Sequence, residues 1–166
     1  VNLPAEHKMA AQRYQFVAGG DIPLGHSADG LVTARVIAGQ AYGVAARIDT
    51  YTPVTLQDWT MQPGGQAQPT PPLEQQMALY LFQGTLAVGP RGQQIEEGQL
   101  VIFGEGGTID LALDAQADGA ARFLLFGGVP LGEPIARYGP FVMNTREELL
   151  QAFDDFQSGR MGVITR

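Results

Sequence analysis

Met77-Ala78-Leu79-Tyr80-Leu81-Phe82-Gln83-Gly84-Thr85-Leu86-Ala87-Val88-Gly89 holds two short runs of apolar and β-branched residues, each stopped by a glycine. Runs of this kind read as strands, and Gly84 and Gly89 suit the positive φ that several hairpin turns require. The same unit recurs outward in both directions. Leu31 to Ile37, Thr55 to Met61, Leu100 to Phe103, Thr108 to Leu113 and Ala121 to Phe126 are further candidate strands, with Gly98 and Gly104 to Gly107 as turn positions. Twenty-two Gly and 11 Pro, spread along the chain, set a rhythm typical of a sandwich or barrel. The expected body is all-β.

The tail departs from this pattern. Thr145 and Glu148 stand at capping-box spacing in Asn144-Thr145-Arg146-Glu147-Glu148, and acidic residues occupy the first turn, where the helix dipole favours them. Leu149, Phe153 and Phe156 then recur on one face, and Ser158-Gly159 supplies a stop. One C-terminal α-helix over 144–158 follows, either a lid packed on the barrel through that stripe or a helix that offers it to a partner. Between Met61 and Met77, a Pro- and Gln-rich segment without periodicity reads as a long loop.

At 166 residues with 45% hydrophobic content, the chain suits a single domain over 1–166. Seventeen acidic against 10 basic side chains give a net charge of −7, and the cations are scattered, which argues against direct nucleic-acid binding. The longest apolar stretch, Phe123 to Leu131, is broken by Gly127, Gly128 and Pro130 and is far too short to span a membrane. The absence of Cys fits a reducing compartment, so cytoplasm is the expected location. Because the chain opens Val1-Asn2-Leu3-Pro4 without a Met, it is expected to be a piece of something longer.

A search for catalytic chemistry finds little. His7 and His26 lie far apart in polar surroundings, and neither has a neighbour at metal-ligand spacing. Ser27 directly follows His26, and consecutive residues seldom present side chains to one another productively, so they do not read as part of a triad. Glu96-Glu97 and Asp154-Asp155 are adjacent pairs whose side chains diverge, and they read as solvated faces. Gly104-Glu105-Gly106-Gly107 enters a strand and is not followed by Lys, which excludes a phosphate loop. No catalytic, cofactor-binding or metal-ligating residue is assigned.

Tyr138-Gly139-Pro140-Phe141-Val142-Met143-Asn144-Thr145, leading through the Glu-rich helix to Phe156-Gln157-Ser158-Gly159-Arg160-Met161-Gly162, resembles the C-terminal signature of pirins. Phe123-Leu124-Leu125-Phe126-Gly127-Gly128 and Pro130-Leu131-Gly132-Glu133-Pro134-Ile135 resemble the run into it, and Val1 to Pro4 with Lys8-Met9 and Tyr14 resembles the join between a pirin's two halves, an arm over 1–20. The resemblance implies a cupin double-stranded β-helix barrel, the second of two. It also implies that the family's iron, held by three His and one Glu, belongs to an N-terminal half that is missing here.

The cupin pattern can be laid on the half that is present. With its first two glycines on Gly64 and Gly84, the ligands would fall at Thr70, Pro72 and Met77; with Gly98, Gly104 and Gly106 on the second motif, the fourth falls at Ile109. Thr, Pro, Met and Ile supply neither the charge nor the strong donors that divalent iron requires. The interior is then either plain core or a metal-free ligand pocket. The resemblance thus implies a non-catalytic, metal-free half that supports an iron-bearing partner domain and binds a ligand or protein. The alternatives are a contribution to an iron-dependent quercetin 2,3-dioxygenase, or a regulator acting through a protein partner. The expected partners are the N-terminal cupin half, a protein or a second copy in a homodimer.

Overall fold

Strict alternation along Thr55 to Met61 places Thr55, Gln57, Trp59 and Met61 on one side of a strand, and all four are buried. This inward face is the seed of the core. The computed structural model describes residues 2–11, 13–104 and 106–162. Val1 of the opening tetrapeptide, Glu105 of the Gly-rich segment and residues 163–166 lie outside the described residues.

The chain forms two units, residues 14–130 and residues 1–13 with 131–166. The first carries β1 (Leu24–His26), β2 (Val32–Ala38), β3 (Gln40–Ala41), β4 (Val44–Ala45), β5 (Val54–Met61), β6 (Gln66–Ala67), β7 (Gln76–Gln83), β8 (Thr85–Val88), β9 (Gln93–Glu96), β10 (Leu100–Ile102), β11 (Leu111–Ala112) and β12 (Ala121–Gly128). Six strands make one antiparallel sheet in the order β1-β2-β5-β12-β7-β10, and four make another, β6-β11-β8-β9. The inner faces meet in one cluster, where Val32, Trp59, Leu79, Phe123 and Leu125 of the larger sheet pack with Leu86, Val88, Ile95 and Leu111 of the smaller. Burial of these apolar faces is the main stabilising contribution, at roughly 25 cal/mol per Å² removed from water.

All seven expected strands are present, with two adjustments. The run expected over Thr108 to Leu113 is regular only at Leu111–Ala112, although Ile109 N donates to Pro69 O and Leu113 N to Gly65 O at 3.0 Å, so it lies alongside the preceding segment. The loop after Met61 contains β6, which pairs with β11. The glycines that anchor the motif register, Gly64, Gly84 and Gly98, have φ of 83°, 81° and 87°, values that favour glycine.

The second unit carries β13 (Ala136–Tyr138), β14 (Phe141–Met143) and α1 (Arg146–Gln157). Thr145 caps α1, its hydroxyl accepting from Glu148 N while the Glu148 carboxylate accepts from Thr145 N, which completes the expected capping box. The buried face differs from the expected stripe: Leu149, Ala152 and Asp155 are buried, whereas Phe156 is 64% exposed. The helix lies against the β13–β14 hairpin, with Phe153 edge-on to Tyr138 and Phe141. Glu133 ties the N-terminal arm into this unit, accepting from Ala5 N at 2.9 Å and from Asn144 Nδ2 at 2.7 Å.

Asp154 and Asp155, read from sequence as a solvated pair, form a clamp instead. Arg160 Nε donates to Asp155 Oδ1 at 2.7 Å, and Arg160 Nη2 reaches Asp154. Hydrogen bonds from Arg160 first, then Gln151, hold the Asp155 carboxyl below its usual range. A carboxyl lowered on folding adds stability that is present above its unfolded value, near 3.9, and is lost as pH falls through the folded value. We therefore expect this unit to loosen only below about pH 4, and Asp155→Asn to remove that step. Thermal melts across the acid range check it, and an unchanged acid transition in the variant would refute the clamp.

Candidate functional site

Polar residues at inward-facing strand positions must find partners, and here they border a cavity. Thr55, Gln57 and Trp59 of β5 line a space of about 580 Å³ together with the β3–β4 hairpin, the segment Gln68 to Pro72, and Gln75. Trp59 Nε1, which can only donate, donates to Gln57 Oε1 at 2.9 Å. Gln57 Nε2 in turn donates to the Gln40 carbonyl at 2.9 Å, so chemistry alone fixes which way this amide points. The Thr55 hydroxyl donates to Gln75 Oε1 at 2.7 Å, and Gln75 is held by its backbone N–H on Pro72 O.

An aromatic wall completes the site. The Trp59 ring is stacked on Phe123 at 5.9 Å on its core side and meets Tyr42 at 5.5 Å with a 54° tilt. Tyr42 and Gly43 are the two central residues of the β3–β4 hairpin, with φ of 50° and 74°, the pattern of a type I′ turn. A non-glycine residue is uncommon there, and such local strain persists where surrounding structure enforces it. Gly25 is part of that surrounding: a Cβ on it would stand 2.8 Å from Ala41 O and 3.0 Å from Tyr42 Cβ. Burial first, and the Asp29 carboxylate second, push the Tyr42 phenol up.

The four positions at which the cupin pattern would place ligands do not share one environment. Thr70 and Pro72 line the cavity and are exposed, whereas Met77 and Ile109 are buried in the hydrophobic cluster, 4% and 6% exposed. Among the described residues no group of three or more His, Cys, Asp or Glu lies together. The residues at this site therefore do not fit an iron centre, whose ligands must be imidazole or carboxylate.

The other sequence candidates are structural. Ser27 Oγ donates to Asp29 Oδ1 at 2.6 Å and accepts from Val32 N, which closes the β1–β2 turn, while His26 Nδ1 faces Thr33 Oγ1 at 3.1 Å. His26 is exposed and does not engage Ser27 as a base. Glu96 and Glu97 are exposed around the end of β9. The cavity residues Tyr42, Thr55, Gln57, Trp59 and Gln75 were not singled out from sequence. The signal for two of them was present: Thr55 and Gln57 are polar side chains on the same alternating face as Trp59 and Met61.

The family model described as the pirin C-terminal cupin domain matches residues 56–162. This chain belongs to the pirin family. Among curated pirins it is 34% identical to Pirin-1 of Arabidopsis thaliana, over 98% of this chain and 56% of that protein. It is 35% identical to human Pirin, over 98% of this chain and 55% of that one. A solved quercetin 2,3-dioxygenase from Acinetobacter baumannii superposes with a TM-score of 0.85 at 31% identity, over 99% of this chain and 56% of its own. The chain thus spans about half the length of these relatives, and its pirin cupin fold is all-β with one C-terminal helix, as the sequence implied. No helix among the described residues is long and apolar enough to cross a membrane.

Proposed function

We propose that this chain acts as a non-catalytic, metal-free cupin half of a pirin-like protein, lending structural support to an iron-bearing N-terminal half and binding a ligand or protein. The observation that carries this reading is the make-up of the four ligand positions: Thr70 and Pro72 at the cavity, Met77 and Ile109 in the core. A divalent ion there would lose its water and gain no charged or imidazole ligand in return. The net charge of −7 speaks against nucleic acid as a partner, and the lack of cysteine fits the cytoplasm. Incubation with ferrous iron followed by desalting should leave far less than one iron per chain, and quercetin should be consumed no faster than in an iron-only control. Stoichiometric iron, or turnover well above that control, would overturn the reading.

A second reading has its own support. The name of the Acinetobacter relative favours a parent enzyme of the quercetin 2,3-dioxygenase type, to which this half would contribute walls or a lid. In a third, the chain is a protein-binding regulator, favoured by Leu150 and Phe156 of α1, 65% and 64% exposed. Partner capture that fails for Phe156→Asp while the fold is retained would support that role.

A further inference from the structure

The cavity of residues 14–130 has a definite chemical character. None of its lining residues is Asp, Glu, Lys, Arg or His, so a charged ligand would be stripped of water with no counter-charge to meet it. Its volume of about 580 Å³ lies inside the usual range for small-molecule sites, and Tyr42, 40% exposed and backed by the buried Trp59, offers an aromatic ring. Its lining includes side-chain amide donors. Gln57 Nε2 spends one N–H on Gln40 O and keeps the other, and among the described residues neither N–H of Gln75 Nε2 is matched to an acceptor.

We propose that this cavity binds an uncharged, planar ring compound that presents a carbonyl acceptor on its edge, of the aromatic lactam class. The carbonyl would meet the amide N–H groups of Gln57 and Gln75, the rings would lie against Tyr42, and the enforced Tyr42-Gly43 turn would hold that ring ready. This site rests on the metal-free reading of the barrel.

Trp59 is the only tryptophan, so its indole N–H gives a single cross-peak in a ¹H–¹⁵N spectrum that reports on this cavity alone. Titration with the neutral lactam 2-quinolinone should shift that peak saturably, and 2-oxoquinoline-4-carboxylate should bind at least tenfold more weakly. Gln75→Glu preserves an acceptor for the Thr55 hydroxyl but replaces the free donors with a carboxylate, and should weaken 2-quinolinone at least tenfold. Tyr42→Asn suits the same turn without the ring, and should weaken binding with the free-state peak retained. No saturable shift with 2-quinolinone, equal binding of the carboxylate, or undiminished binding by both variants would overturn the site. Ferrous iron alone is the separate control: paramagnetic loss of the indole peak at one equivalent would sink the metal-free reading itself, whereas an intact peak with no lactam response sinks only the lactam site.

Discussion

Trp59→Ala is expected to cost about 3–5 kcal/mol of unfolding free energy, the range for deleting a buried large aromatic side chain. Trp59 is 1% exposed, sits at the junction of core and cavity, and stacks on Phe123 with planes 10° apart. Its removal therefore strips one face of Phe123 of contacts and leaves Gln57 Oε1 without its donor. Because the hole joins an existing cavity, water can reach Gln57, so the packing loss with Phe123 dominates. Trp59→Phe separates the two contributions: it keeps a ring over Phe123 and should cost only about 1–3 kcal/mol for the lost indole bond. Urea titrations followed by far-ultraviolet circular dichroism measure both, since neither variant has a tryptophan to follow. A cost below about 1 kcal/mol for Trp59→Ala would show that the ring is not the keystone described.

The second large effect comes from adding a single carbon. Gly127 of β12 pairs with Met77 of β7 in the middle of the six-stranded sheet. A Cβ on Gly127 would fall on the Met77 sulfur and 2.5 Å from the Gln76 carbonyl oxygen, and although the side chain can swing away the carbonyl is fixed in the ladder. Overpacking of this kind costs about 1–3 kcal/mol. Ala gains about 0.5–1 kcal/mol over Gly in a strand, too little to offset the upper half of that range. We expect Gly127→Ala to lower stability by about 1–2 kcal/mol. Combining it with Met77→Ala should recover only part of the loss, read as coupling in a double-mutant cycle. Full recovery would place the clash on the sulfur alone, and a neutral Gly127→Ala would contradict the close approach of the two strands.

Long strands were legible in the sequence because their signal is redundant. Val32–Ala38 shows it, with Val32, Ala34, Val36 and Ala38 turned inward and Thr33 and Arg35 between them. The two-residue strands β3 and β4 carry no such redundancy, and their turn uses Tyr42 where Asn or Asp before Gly would have announced it. β9 is written Gln-Gln-Ile-Glu, with only Ile95 buried, so composition pointed away from a strand. In α1 the cap was legible but the buried face was not. Size ranked Phe156 above Ala152, whereas the fold needed a small side chain against the hairpin and an Asp155 neutralised by Arg160. The site divides the same way: Thr55 and Gln57 sit on a readable face, but Tyr42 and Gln75 reach the cavity through loops, whose geometry no periodicity encodes.

The split among the four ligand positions bears on how freely this barrel could gain a metal centre. Thr70 and Pro72 stand at an exposed rim, where imidazoles could be introduced without disturbing the packing. Met77 and Ile109 are part of the core, so a Glu at one and a His at the other would each be buried among apolar neighbours before any ion arrived to neutralise them. Replacing either core residue is expected to lower stability, whereas the two rim positions carry no such cost. The packing of Met77 and Ile109 thus sets a stability cost on any metal centre built at the four positions.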